Sequence, residues 1–222
     1  LPQRNLYDGY YEGSVPGQNK MNMVFDSTAI HSTQRFANRI QSGLFPPYKK
    51  WCRLEPGNDI PADRKAEVQQ ALDLYLDKMF TLLRQSNFDL AMGEFLLDLC
   101  VGTAVMLIQP GDDINPIQFT PVPQYLIALE EGPHGTVDNV YRKYKVRAEA
   151  LPRQYPDIKL NEQLKRLIES KPQEMVELIE AVIIDTERKD YCYHIIHEKT
   201  KDELVFRRMD TTPWIVARYM KI

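Results

Sequence analysis

Apolar positions through the first hundred residues recur at helical spacing, and after Gly102 the pattern changes to alternation. From Thr28 onward, Ile30, Phe36, Ala37, Ile40 and Leu44 share one helical face, with Asp26 and Ser27 ahead of them as caps. The spacing predicts an amphipathic helix that ends at Gly43 and Pro46-Pro47. A second helix is expected from about Asp63 to Gln85, with Val68, Leu72, Tyr75, Met79 and Leu82 or Leu83 as its buried stripe. A third, capped by Asn87, carries Phe88, Ala91, Met92, Phe95, Leu96 and Leu99 and stops before Gly102.

Strands are expected over 103–109, 117–120, 124–130 and 139–145, separated by turn residues. Residues 147–172 return to a helical pattern with Leu160, Leu164, Leu167 and Ile168 as the apolar face, and strands resume over 175–184, 191–197, 204–208 and 213–220. This order, helices then strands then a helix then strands, predicts an α+β fold of amphipathic helices packed on a largely antiparallel sheet. The divisions are a loop or arm over 1–24, a helical region over 25–102, a β-hairpin region over 103–146, a helical segment over 147–172 and a β region over 173–222.

Composition narrows the classes. The 222 residues are 43% hydrophobic and 27% charged, enough for one large domain or two small lobes. A formal net charge of -3 argues against a broad phosphate-neutralising surface. Cys52, Cys100 and Cys192 lie far apart without CxxC spacing, which indicates neither a disulfide framework nor a zinc cluster and favours synthesis in a reducing cytosol. Neither a signal peptide nor an apolar run long enough to span a bilayer is visible, so a soluble chain is expected. The absence of an initiator Met and the strand-like end at Trp214-Ile215-Val216 suggest a piece of a longer protein, truncated within its last β region.

One stretch raises the question of catalysis. Gly111-Asp112-Asp113 lies between two apolar segments, the arrangement in which viral RNA polymerases hold metal ions. A polymerase-like nucleotidyltransferase using Asp112 and Asp113 would need an earlier Asp pair five residues apart, and none precedes position 111. Asp185 and Asp190 have that spacing but follow the motif and straddle a turn. Pro110 and Asn115-Pro116 bracket the GDD with turn formers, which favours a surface hairpin. Glu94 with Asp98, and Asp73 with Asp77, stand one helical turn apart and are read as solvated helix faces. His194 and His197 point to opposite faces of a strand and cannot share a metal there, whereas Cys192 and His194 share a face without further ligands. No nucleophile elbow or phosphate loop occurs, so catalytic, cofactor and metal residues are all expected to be absent. Arg142, Lys143, Lys145 and Arg147 are the candidate contact for DNA or a partner, the alternative being an edge strand guarded by its lysines.

Phe25-Asp26-Ser27-Thr28 opening a helix, Ser42-Gly43-Leu44-Phe45-Pro46-Pro47 closing it and Trp51 beyond resemble the signature of head-to-tail connecting proteins, the portal proteins of short-tailed bacteriophages. In the same order, Gly102-Thr103-Ala104, Pro123 with Tyr125, Gly135-Thr136-Val137-Asp138, and Thr212-Pro213-Trp214 through Arg218-Tyr219 resemble later motifs of that family. The resemblance implies the N-terminal, wing-like portion of a portal. It implies a non-enzymatic subunit of a dodecameric ring at one capsid vertex, with terminase, capsid and tail proteins as partners and double-stranded DNA passing through the channel. The expected location is the virion, after assembly in the bacterial cytoplasm, with no membrane and no cofactor. A virion adaptor that forms no ring is the other structural alternative.

Overall fold

The computed structural model describes residues 28–112, 114–133 and 135–218. Two compact units result: one takes in the described residues through Pro121 and again from Val216, the other spans Val122–Ile215. The expected α+β class holds, with helices beside two antiparallel sheets.

In the first unit, α1 (Thr28–Leu44), α2 (Lys65–Gln85) and α3 (Phe88–Val101) precede strands β1 (Thr103–Pro110) and β2 (Ile117–Pro121). The last strand, β8 (Trp214–Arg218), returns to this sheet, whose order is β2-β1-β8. The caps expected at Asp26 and Ser27 and the arm over 1–24 lie outside the described residues, as does the end of the predicted last strand beyond Arg218. Ala37 of α1, the inner face of α3, and Ala104, Met106 and Phe119 of the hairpin form one core. Trp51 seals its edge, 5.0 Å from the Phe45 ring and 5.3 Å from that of Phe80, in edge-on contacts favoured by the ring quadrupoles.

Two expectations for this unit need correction. On α2 the fully buried residues are Leu76 and Phe80, whereas Tyr75 and Met79 of the predicted stripe are exposed. Asn87 does not cap α3 through its side chain. Ser86 Oγ accepts the Phe88 N–H instead, at 3.2 Å. The Asn87 amide reaches the hairpin, donating to the Phe119 carbonyl at 2.6 Å and accepting the Phe119 N–H at 2.9 Å. That pair satisfies backbone groups on β2 that would otherwise be orphaned.

The second unit is a five-stranded antiparallel meander, β3 (Ile127–Glu131), β4 (Val137–Arg147), β5 (Met175–Asp185), β6 (Asp190–His197) and β7 (Glu203–Met209), paired in that order. A single-turn 3-10 helix at Gln124–Leu126 takes up the start of the strand predicted from 124. The helical segment expected over 147–172 divides into a 3-10 turn at Ala148–Ala150, α4 (Leu151–Gln154) and α5 (Glu162–Ser170). Pro152 sits in the first turn of α4, and the helix stops at Tyr155 ahead of Pro156, which disfavours helical backbone in the residue before it. Asn161 restarts the helix by accepting the Leu164 N–H at 2.8 Å while donating to Asp202 at 2.5 Å. Leu151, Tyr155 and Leu164 are buried, and Lys159 N–H bonds the Leu204 carbonyl of β7 at 2.7 Å. Among the described residues, no helix is long and apolar enough to cross a membrane.

Candidate functional site

Gly111 and Asp112 open the turn of the β1–β2 hairpin, whose last paired residues are Pro110 and Ile117. Gly111 N–H bonds the Pro116 carbonyl at 3.0 Å and Asp112 N–H bonds that of Asn115 at 2.9 Å. Asp112 Oδ1 accepts the N–H groups of Ile114 at 3.0 Å and Asn115 at 2.6 Å, the local bonding for which Asp is favoured in turns. A Cβ at position 111 would overlap the Asn115 carbonyl, so this close approach requires glycine. Asp113 lies outside the described residues. The Asp112 carboxylate is thus engaged in holding its own turn.

Among the described residues, the one cluster of three metal-ligating side chains is Asp185, Asp190 and Cys192, with ligand atoms within 4.8 Å of one another. Asp185 and Asp190 face each other across the β5–β6 turn. Arg208 on β7 bridges them, donating to Asp190 at 2.8 and 2.6 Å and to Asp185 at 3.0 Å. Asp185 Oδ1 also accepts the N–H groups of Glu187 and Arg188, each at 3.2 Å. The Arg188 backbone bond, followed by Arg208, holds the Asp185 carboxyl below its ordinary range. A metal would have to displace a guanidinium that keeps its charge at every accessible pH.

Strand β4 sorts the four candidate cations by parity, because alternate residues point to opposite faces. Arg142 points inward with Tyr144, while Lys143, Lys145 and Arg147 point outward. Lys143 Nζ meets Glu198 at 2.8 Å and Glu177 at 3.4 Å, and Lys145 Nζ meets Glu177 at 2.6 Å. Hydrogen bonds from Lys145 first, then Lys143, hold the Glu177 carboxyl down to about 2. Arg147 is exposed and has no ion pair among the described residues. β4 lies between β3 and β5, so the guarded-edge alternative does not apply to it.

The inner face holds a polar cluster that the amino-acid pattern conceals. Arg142 and Glu180 are directly opposed in the β4–β5 register, Nη1 lying 3.6 Å from Oε2. Glu180 is only 1% exposed and the Arg142 side chain 17%. At 3.6 Å the contact is ionic rather than a directed hydrogen bond, Arg142 Nε has no hydrogen-bond partner, and the buried Tyr193 hydroxyl is the other polar neighbour of the Glu180 carboxyl. Burial pushes the Glu180 carboxyl up, against the opposing pull of Arg142. The Arg142 guanidinium also sits 4.5 Å from the centre of the Tyr144 ring, a cation–π distance. The Tyr144 and Tyr155 hydroxyls share a hydrogen bond, and burial raises both phenols. Nearby, Arg207 makes a two-pronged ion pair with Asp157, its Nε at 2.6 Å. Together these bonds fasten the loop after α4 to the sheet. Glu180 could have been noticed as a lone acid alternating with Val176, Leu178 and Val182.

His194 and His197 take opposite faces of β6, as their spacing requires. His194 Nδ1 lies 2.6 Å from Glu203, and His197 Nδ1 lies 2.9 Å from Thr200. Glu94, Asp73 and Asp77 are exposed on helices, with Asp73 accepting from Gln69 at 2.8 Å and Asp77 paired with Lys50.

A family model described as bacteriophage head to tail connecting protein matches residues 1–222. No curated protein matches the sequence.

Proposed function

The chain belongs to the bacteriophage head-to-tail connecting proteins, and from that premise we propose that it is a subunit of a portal ring at one vertex of the capsid. Membership makes it a virion component with a structural connecting role between capsid and tail parts. The finer reading adds that twelve copies close into a ring through which double-stranded DNA enters under a terminase motor and leaves through the tail. The observation that carries it is the match along all 222 residues, to a family whose work is connection. The use of Asp112 as a turn-holding acceptor supports it, because the motif that most resembled a catalytic site is occupied with local structure.

Contact with DNA or a partner falls to Lys143, Lys145 and Arg147 on the outer face of β4. The glutamates paired with the two lysines keep that face weakly charged. A conduit gains from such balance, because each phosphate neutralised by a free cation adds salt-dependent affinity that would slow passage.

The test is the solution mass and electron-microscopic appearance of the protein at micromolar concentration. Closed rings are expected. A protein that stays monomeric at every concentration would favour an adaptor, and stoichiometric Mn²⁺ binding abolished by Asp112→Ala would reopen the polymerase reading.

A further inference from the structure

Helix α2 is amphipathic, with Glu67, Gln70, Asp73 and Asp77 among its exposed polar residues, yet part of its apolar surface is left uncovered. Leu76 and Phe80 are buried, the latter against Trp51. On the adjoining arc Leu74 is 56% exposed and Tyr75 63%, with Ala71 and Met79 also exposed. At about 3.6 residues per turn these side chains fall on one broad arc, which the exposed Glu67 also shares. Lys78 stands in its middle, exposed and without an ion pair among the described residues. Large apolar side chains left exposed together on one helix arc mark a contact surface.

Helix α3 presents the complementary pattern. Its outward positions Leu90, 71% exposed, Glu94 and Leu97 follow one another at helical spacing, and Glu94 is exposed with no ion pair among the described residues. The pitch matches: Lys78 is flanked by Leu74 and Leu82 one turn to either side, as Glu94 is by Leu90 and Leu97. Laid along one another, the two stripes bring charge to opposite charge and leucine to leucine.

We infer that the outer stripe of α2 in one copy of this chain packs on the outer stripe of α3 in the next, with Lys78 paired to Glu94 between them. The inference rests on the self-assembly proposed above and assigns it a surface. Two different patches on one chain make a heterologous contact, the kind that closes into a ring when its rotation allows. A cation between leucines on one stripe and an anion between leucines on the other also favour one register, since a slipped pairing would set each charge against a leucine.

The experiment compares the assembly of the unaltered protein with that of Lys78→Glu and Glu94→Lys, by light scattering over a concentration series and by electron microscopy. Both positions are exposed, so circular dichroism melts serve as the folding control, and the milder Lys78→Gln provides a second variant. Each charge reversal should raise the concentration needed for assembly by about tenfold or more, because like charges then meet in the contact. Mixing the two reversed variants should restore assembly, since the introduced glutamate of one chain then faces the introduced lysine of the next. Reversed variants that assemble at the concentration of the unaltered protein, or a mixture that gives no rescue, would overturn the assignment while leaving ring formation intact. An unaltered protein that never assembles would overturn both.

Discussion

Removing Arg142 tests the buried pair of the second unit most directly. In Arg142→Ala, Glu180 loses its counter-charge while remaining nearly sealed from water. An uncompensated buried carboxylate costs about 3–5 kcal/mol. The acid has an escape, because it can bind a proton. From its ordinary value of 4.5, protonation costs about 1.4 kcal/mol per pH unit, so about 0.7 kcal/mol at pH 5 and about 4 kcal/mol at pH 7.5. Burial has already raised the folded-state carboxyl above its unfolded value. Its contribution to stability is therefore fully present below about pH 4.5 and is lost as pH rises through the folded value. Loss of the guanidinium raises that folded value further and extends the decline. The cost of Arg142→Ala should thus be about 1 kcal/mol at pH 5, mostly lost contact with the Tyr144 ring, and should grow by about 1–3 kcal/mol by pH 7.5. Urea unfolding at both pH values, with hydrogen exchange of β5 peptides to assign the loss to this unit, measures the difference. A cost that is the same at both pH values would refute the reasoning, since Glu180 would then not be a buried charge at all.

Replacing both partners, as Arg142→Met with Glu180→Leu, should leave stability unchanged or raise it by about 1–4 kcal/mol in the same unfolding assay. Asn87→Ala should cost about 1–3 kcal/mol in urea unfolding, because the Phe119 N–H and carbonyl lose their partner in a half-buried setting. Lys189 and Lys201 adopt left-handed backbone at φ 58° and 62° in the two turns that flank β6. Changing either to glycine should raise the melting temperature, by about 0.5–1 kcal/mol of stability, since the Cβ penalty of that conformation disappears. Asp112→Ala should cost about 1 kcal/mol by thermal melting, through its two lost turn bonds, with no change in assembly by electron microscopy.

Local patterns predicted local structure well. The first helix ends at Leu44, where Gly43 and Pro46-Pro47 placed it, and the Gly-Asp-Asn-Pro vocabulary after β1 became a hairpin turn as its chemistry required. What escaped was set by distant chain. Periodicity finds the apolar arc of α2 but cannot choose among overlapping stripes on it, and Trp51 in the preceding loop packs on Phe80. Asn87 has the chemistry of a cap, and a strand more than thirty residues later took its amide for another purpose. Arg142 read as one of four surface cations because its partner, Glu180, becomes visible only through the β4–β5 register. Parity along β4 was legible in advance, and it would have set Arg142 apart from Lys143, Lys145 and Arg147.

The return of β8 to the sheet of β1 and β2 imposes an order in time. All five strands of the meander lie between β2 and β8. A chain leaving the ribosome presents both hairpin strands, then all of the meander, before the third strand of the first sheet exists. Were the intervening roughly ninety residues still unfolded, joining their ends would cost about 4 kcal/mol of loop-closure entropy. A meander with neighbouring strands in sequence, made of short-range pairings, can fold ahead of that closure and remove much of the cost. The first unit is then begun early and completed late. Its unfinished sheet edge along β1 waits for β8, so the nascent protein carries one open strand until synthesis has passed residue 218.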